Sequence, residues 1–521
     1  MTKGSAPNPA SALMAALSAA KASVLDENRP GAVKKQHERG AMTARERIAY
    51  LCGDAPFHEI GALVSSDHDE DTPSGDGVVV GFAEVAGRYS TILATDYTVE
   101  GGSPGRRGRA KWNRAFHQSL IHGLPLILLL ESGGHRIRDG QDSREYAAGG
   151  VELTRLAELS GWVPIVAAVL GPAMAGVAVM VTLASFSVMV RGKSFMGMAG
   201  PALVKAAVGE NLSLEALGGA DVQTDKNGLA HLKVDSEQAA LDSLRCFLSY
   251  FPANAQAPPP MLPIVDPVDR RSDDLMGMIP AEPRKVYDVQ PILREIVDRD
   301  SFFQLKPTYA KNLITALARL AGRPVGIIAN QSNHLSGMLD SPACEKASDF
   351  IALCDAFGLP LIFFIDVPGF AVGSRAEASG LCRRATRLTL ELTHATIPRI
   401  SIVLRKGYGA GYVAMGGGRG NDADACFAWP TAEICAMSVE GSVDVAFRKE
   451  YSAAPDPQAR RAELIQELRS RISVERAAGG FGIDDVIDPA DTRRLIIETL
   501  ARTRGRRVTA SLPPKVRPIG I

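Results

Sequence analysis

Two turns in this chain are built almost wholly of small residues: Gly171-Pro172-Ala173-Met174-Ala175-Gly176 and Gly407-Tyr408-Gly409-Ala410-Gly411. Small residues at a strand-to-helix turn leave successive backbone N–H groups bare, and a helix N-terminus adds a dipole that favours negative charge. That is the recipe for an oxyanion hole. A general base would normally be a histidine or carboxylate beside the reacting carbon, yet the first turn lies in an uncharged window from Trp162 to Val190. The second has only Arg405 and Lys406 upstream and no acid before Asp422. Tight helix packing calls for the same small residues, so one such turn is even-handed. Two in matching places favour chemistry.

The places do match. The pentapeptide GLPLI occurs at Gly123–Ile127 and again at Gly358–Ile362, an offset of 235 residues (358 − 123). At that offset Ala175-Gly176 falls on Ala410-Gly411 and Met180 on Met415, while Val163-Pro164 meets Ile397-Pro398 one residue out of step. In each copy an apolar run ends in an acid and a glycine turn, LILLLESGG from Leu126 and LIFFIDVPG from Leu361. A repeat this long indicates a duplicated domain rather than a solenoid, whose periods are roughly 20–50 residues. Two related sites on one scaffold suit a group moved between two bound partners.

The elements that must position these turns read as alternating strands and helices, an α/β pattern. Thr43-Ala44-Arg45-Glu46 is a capping box opening a helix through Leu51. Strands are predicted at Gly77–Val80 and Tyr89–Ala94, and a helix over Ala110–His122 after the turn Gly101-Gly102. The Trp162–Val190 window reaches membrane-spanning length, but Pro164, Gly171, Pro172 and Gly176 break it, so a buried strand and helix are expected. Ala10–Ala20 reads as a short surface helix in a helical arm, not a signal peptide. Five prolines in Ala257–Asp269 mark the boundary, giving domains 1–260 and 261–521. The second repeat begins near Val286, and a basic tail, Arg506–Ile521, closes the chain.

Composition narrows the function. Lys plus Arg and Asp plus Glu both total 58, so no net field recruits nucleic acid or an anionic membrane. None of the seven cysteines forms a Cys-x-x-Cys pair. They read as reduced core thiols, without a zinc ribbon or disulfide framework, and no metal is expected. The expectation is a soluble cytoplasmic enzyme.

The chain resembles the carboxyltransferase β subunits of biotin-dependent acyl-CoA carboxylases, the propionyl-CoA carboxylase group. The resemblance runs from Thr43 to Arg493 through TARERI at Thr43, GDGVV at Gly75, DYTVEGGS at Asp96, ESGGHRI at Glu131 and YAKN at Tyr309. It continues through DVPGF at Asp366, RKGYGAGY at Arg405, WPTAEI at Trp429 and DDVIDPADTR at Asp484. It implies two tandem crotonase-like (ClpP/crotonase) domains. The amides of Ala175 and Gly176 would hold a thioester enolate, and those of Ala410 and Gly411 the ureido oxygen of biotin. Substrate-binding positions carried over by motif are Gly101, Gly102, Lys111, Gly133, Gly134, Tyr412 and Val413.

The implied reaction fits the missing side-chain base. Carboxybiotin releases CO2, the biotin enolate takes the α-proton of a short acyl-CoA such as propionyl-CoA or acetyl-CoA, and the acyl enolate captures CO2. No Met-Lys-Met biotinylation motif occurs, so a biotin carboxylase and biotin carboxyl carrier (α) subunit are expected as separate chains. Self-association as a hexamer, a trimer of dimers, is implied too, with half-sites from different subunits face to face. The family more often has Gly-Gly at Ala175-Gly176 and Gly-Ala at Ala410-Gly411; an alanine at positive φ costs about 1–2 kcal/mol. Met415–Asp422 resembles the glutaconyl-CoA type of biotin-dependent decarboxylase, which keeps the reverse reaction open. A non-catalytic CoA-binding subunit is a further alternative. A crotonase-type hydratase or isomerase, which needs placed carboxylates, is more distant. Arg106, Arg107 and Arg109 form either a solvated helix face or a clamp for CoA phosphates; of the basic group only Lys111 matches the usual pattern. Val413 either lines the acyl pocket or faces the helix core.

Overall fold

The computed structural model describes residues 9–147 and 151–503; the basic tail falls outside them. The chain divides into two compact units, one running through Ala257 and the other starting at Pro258.

In the first unit the strands are β1 (His58–Ile60), β2 (Val78–Val85), β3 (Arg88–Thr95), β4 (Leu126–Ser132), β5 (Ile165–Met174), β6 (Phe186–Val190), β7 (Phe195–Gly197) and β8 (Leu232–Val234). They lie in the order β1-β2-β3-β4-β5-β6-β8, with β7 against the end of β5. The first two pairings are antiparallel and the rest parallel. Buried on both faces, β4 and β5 read as near-continuous apolar runs, as interior parallel strands do.

Helix α1 (Ala44–Cys52) opens on the capping box, with both reciprocal bonds between Thr43 and Glu46 formed. Helix α2 (Arg106–His122) starts four residues before the expected Ala110, because Gly105 serves as its N-cap. It buries Gly108, Lys111, Trp112, Ala115, Phe116 and Ser119, the three-and-four spacing of one helical face. The alanine-rich stretch is a helix, Pro9–Ser23. The uncharged window becomes β5, a short helix α3 (Gly176–Thr182) and β6. Among the described residues no helix is long and apolar enough to cross a membrane. Helix α4 (Glu237–Tyr250) packs its apolar face under the sheet.

The second unit repeats the plan with β9 (Phe303–Leu305), β10 (Leu313–Leu320), β11 (Arg323–Asn330), β12 (Leu361–Val367), β13 (Arg399–Tyr408), β14 (Ala425–Ala428), β15 (Glu433–Cys435) and β16 (Asp485–Val486). The order is β9-β10-β11-β12-β13-β14-β16, with β15 against β13. Its helices include α5 (Ser341–Phe357), α6 (Leu381–His394) and α7 (Gly409–Ala414).

From β2 through β4 each first-unit element has a twin 235 residues on, with identical bounds (78 to 313, 88 to 323, 106 to 341, 126 to 361). At β5 the offset becomes 234: β4 pairs Leu126 with Ile165, whereas β12 pairs Leu361 with Arg399 (399 − 165). The link between the paired strands is one residue shorter in the second unit. The seven cysteines are all free thiols. Cys344, Cys354 and Cys426 are buried, but Cys382 is exposed on the polar face of α6, so the expectation of core thiols fails there.

Candidate functional site

The one-residue shift re-pairs the two turns. Met174 lies beside Gly197 as Tyr408 lies beside Cys435. The twin of Ala175 is therefore Gly409, that of Gly176 is Ala410, and that of Val177 is Gly411. Backbone conformation agrees, since φ is 54° at Ala175 and 57° at Gly409. The constant offset of 235 thus misaligned the turns by one residue.

Ala175 does take positive φ, the strained case anticipated for alanine. Its own N–H donates to Gly197 O at 3.0 Å. That amide is committed to β7, which corrects its assignment as a hole donor. The first helical bond of α3 runs from Val179 N–H to Ala175 O, so the N–H groups of Gly176, Val177 and Ala178 precede the ladder, and among the described residues the first two are the donors nearest the turn. In the second unit the same register selects Ala410 and Gly411.

A cavity of about 360 Å3 opens beside the first turn. Ala175, Gly176 and Val177 form one wall with Met174, and Gly134 faces them from the end of β4. Trp112 and Arg109 come from α2, Leu153 and Glu152 from the helix Val151–Leu159, and Met180 from α3. His135 and Tyr146 complete it, their rings edge-to-face at 5.5 Å. So a histidine and a carboxylate do approach the turn, from elements the local sequence does not connect. Glu152 is held by Arg109 at 3.7 Å. Burial, then the Arg109 charge, push the His135 imidazole below its usual range.

Of the glycines expected to bind substrate, Gly134 lines this cavity. Gly133 donates to Gly101 O at 3.0 Å, tying the end of β4 to the turn Glu100–Gly102. Gly102 lies so close to Glu131 O that a side chain there would overlap it. The twin turn is the same: Gly337 at positive φ lies under Asp366 O.

Lys111 goes elsewhere. It is buried, with Nζ donating to the carbonyls of Gly75 and Val78, and is not part of the cavity wall. Burial brings it down to about 8. Its twin, Lys346, donates to the carbonyls of Lys306, Tyr309 and Leu313 at 2.7–2.8 Å. Arg106 and Arg107 pair with Asp67 at 2.9 and 2.7 Å, and Arg107 also with Glu70. Only Arg109 of that cluster reaches the cavity.

In the second unit a Cβ on Gly411 would stand 2.9 Å from Gly369 Cα, so glycine lets the turn close on the loop after β12. Tyr412 is half-buried beneath Gly407, Gly417 and Gly418, and burial raises its phenol. Val413 is 49% exposed and does not face a helix core.

The acids that end the two apolar runs are structural. Glu131 is 1% exposed, bound by Arg47 at 2.7 Å, Arg39 at 3.0 Å and Gln36 at 2.8 Å. Asp366 is bound by Arg405 at 3.0 Å and by the Lys406 N–H. Both are saturated with cations and donors and are unsuited to take a proton from substrate.

A mostly parallel sheet that delivers a central strand into a donor-rich turn, twice in one chain, with an apolar cavity beside the first of the two turns, defines a tandem crotonase-like carboxyltransferase fold. The chain belongs to the carboxyl transferase family, the carboxyltransferase subunits of biotin-dependent acyl-CoA carboxylases: the family model for the carboxyl transferase domain matches residues 35–517. It is 39% identical over 91% of its length to 93% of the propionyl-CoA carboxylase carboxyltransferase subunit of Haloferax mediterranei. It is 34% identical, covering 91% of the chain and 92% of the relative, to the methylmalonyl-CoA decarboxylase subunit alpha of Veillonella parvula. The crystal structure of the transcarboxylase 12S hexamer with methylmalonyl-coenzyme A and methylmalonic acid bound superposes with a TM-score of 0.90, at 35% identity and 99% coverage of both chains.

Proposed function

We propose that the first unit (residues 1–260) binds the acyl-CoA and the second (261–521) the biotin of a separate carrier protein, with short acyl groups such as propionyl or acetyl as acceptors. The observation that carries this reading is the cavity beside the Gly176-Val177 amides, which combines an apolar wall with donors aimed at a developing oxyanion. Gly176 and Val177 hold the thioester oxygen as it gains charge; Ala175 sets the turn that bares them.

The residues at the second turn suit biotin's ureido group: Ala410 and Gly411 offer only donors, and the ureido oxygen is an acceptor. Carboxybiotin, when bound, supplies both the carboxyl group and the base. The chain's own groups orient and stabilise, which accounts for acids that are tied up in ion pairs. Tyr412 backs the turn and Val413 stands at its rim, facing solvent where an acyl group would pass. Gly101, Gly102 and Gly133 support the wall that Gly134 presents.

Like the transcarboxylase 12S hexamer, the chain acts as a hexamer in this reading, which also assigns it a soluble cytoplasmic place beside separate biotin carboxylase and carrier subunits. The decarboxylase among those relatives favours a second reading, the same transfer run in reverse. The isolated chain, given methylmalonyl-CoA and free biotin, is expected to release CO2 only when both are present. Release without biotin, or none with it, overturns the proposal.

A further inference from the structure

Of the polar side chains in the wall of the first-unit cavity, Arg109 and Glu152 hold each other at 3.7 Å. His135 and Tyr146 line the same cavity and are exposed. Among the described residues neither ring nitrogen of His135 has a hydrogen-bond partner. The ring is nonetheless fixed in place. A Cβ on Gly140 would stand 2.6 Å from His135 Cδ2, so glycine there makes room for the imidazole, and the Tyr146 ring abuts it edge-on at 5.5 Å. His135 is also close to the turn. It follows Gly134, where a Cβ would stand 3.4 Å from Met174 Cβ, and Met174 directly precedes Ala175. A positioned imidazole with open nitrogens is suited to an acceptor on a ligand.

Carboxyl transfer creates such an acceptor. The new carboxylate hangs on the α-carbon, next to the thioester carbonyl, and so enters the cavity that the Gly176 and Val177 amides border. We propose that His135 donates a ring N–H to this carboxylate and thereby sets the site's preference for the carboxylated thioester over the uncarboxylated one. This rests on the first unit being the acyl-CoA side. Burial, then the Arg109 charge, hold the imidazole below its usual range, so at neutral pH it is an uncharged ring with one N–H to give. The charges that face it are compensated elsewhere: Arg109 and Glu152 by each other, Arg136 by Asp76 at 2.7 Å, and Asp139 by His68 at 2.7 Å. Acid, which turns the ring into a cation, strengthens its bond to a carboxylate.

The test is calorimetric titration of the full-length chain with propionyl-CoA and methylmalonyl-CoA, which differ by that carboxylate alone. His135→Ala is expected to weaken methylmalonyl-CoA about tenfold and propionyl-CoA less than about twofold, and His135→Gln, which keeps a donor, to recover most of the loss. In the native chain the affinity ratio is expected to move toward methylmalonyl-CoA as the pH falls from about 8 to about 5, the ionisations of CoA itself cancelling between the two ligands. In His135→Ala the ratio is expected to stay flat. Equal losses for both ligands in His135→Ala, a ratio it leaves unchanged, or a native ratio insensitive to pH overturns the inference. So does a loss in Tyr146→Phe, which keeps the abutting ring, as large as that in His135→Ala. The native pH series decides the matter even where a variant does not fold. Failure of the native chain to bind either thioester overturns the underlying assignment of the acyl-CoA side instead.

Discussion

The two units solve one problem in opposite ways. Each ends its central apolar strand in a buried acid, Glu131 in β4 and Asp366 in β12, exactly one repeat apart in register. In the second unit the cation is local, since Arg405 on the adjacent β13 reaches Asp366 directly. The twin of Arg405 is Gly171. There a Cβ would come within 2.5 Å of Glu131 Cγ, so glycine yields the space and Glu131 extends through it to Arg39 and Arg47 of the N-terminal arm. The duplication preserved the acid while the source of its counter-charge moved. What the fold requires here is a neutralised strand end.

That contrast can be broken from either side. Arg47 bridges two buried carboxylates, Glu131 and Glu237, each at 2.7 Å. Removing one partner of a buried pair costs about 3–5 kcal/mol, so Arg47→Met should cause the largest loss. Arg405→Met should come next, since Asp366 keeps the Lys406 N–H. Denaturant melts that follow each unit separately check the order; a larger loss from Arg405→Met would reverse the comparison.

The paired lysines sharpen it. Lys111 is lowered from 10.5 to about 8 by burial. Between those values the unfolded chain holds a proton that the folded one has shed, so stability rises with pH across the window. The shift limits the gain to about 3 kcal/mol. Lys111→Met should flatten the slope of the urea midpoint between pH 8 and 10. An unchanged slope would show that the ammonium is better solvated than its carbonyl cage implies.

The smaller effects concern the turns. Gly409→Ala adds a Cβ 2.7 Å from Ala436 O at positive φ and should cost about 1–3 kcal/mol. The reciprocal Ala175→Gly relieves strain but adds chain entropy and should shift stability by less than about 1 kcal/mol. Thermal midpoints of the two variants compare them; equal shifts would mean the turns are not true twins.

Much of this fold was legible because a strand buried on both faces leaves an apolar run. Leu126–Ser132 and Leu361–Val367 announced themselves and the motif resemblance identified the family, but the expected strand Gly77–Val80 stopped five residues short of the end of β2 at Val85 (85 − 80). The single-residue shortening before β13 was visible only as the step at Ile397-Pro398, and a constant offset carried past it misplaced the turn donors. The ion pair that holds Glu131 was not legible because its partner Arg47 lies 84 residues upstream (131 − 47) and no spacing rule joins them. His135, Glu152 and Trp112 were missed for the same reason. The cavity draws them from separate elements, and helix spacing relates only Trp112 to Arg109. Cys382 escaped because α6 turns that position outward.

The reach of Glu131 into the arm has a practical side. A fragment begun after Gly53 would retain every strand of the first sheet yet lack Gln36, Arg39 and Arg47. Two carboxylates would then face an apolar interior with little to balance them, favouring aggregation over refolding. The second sheet supplies Arg405 from within itself, so it is the half to choose for independent expression, and the half in which a grafted site would survive trimming.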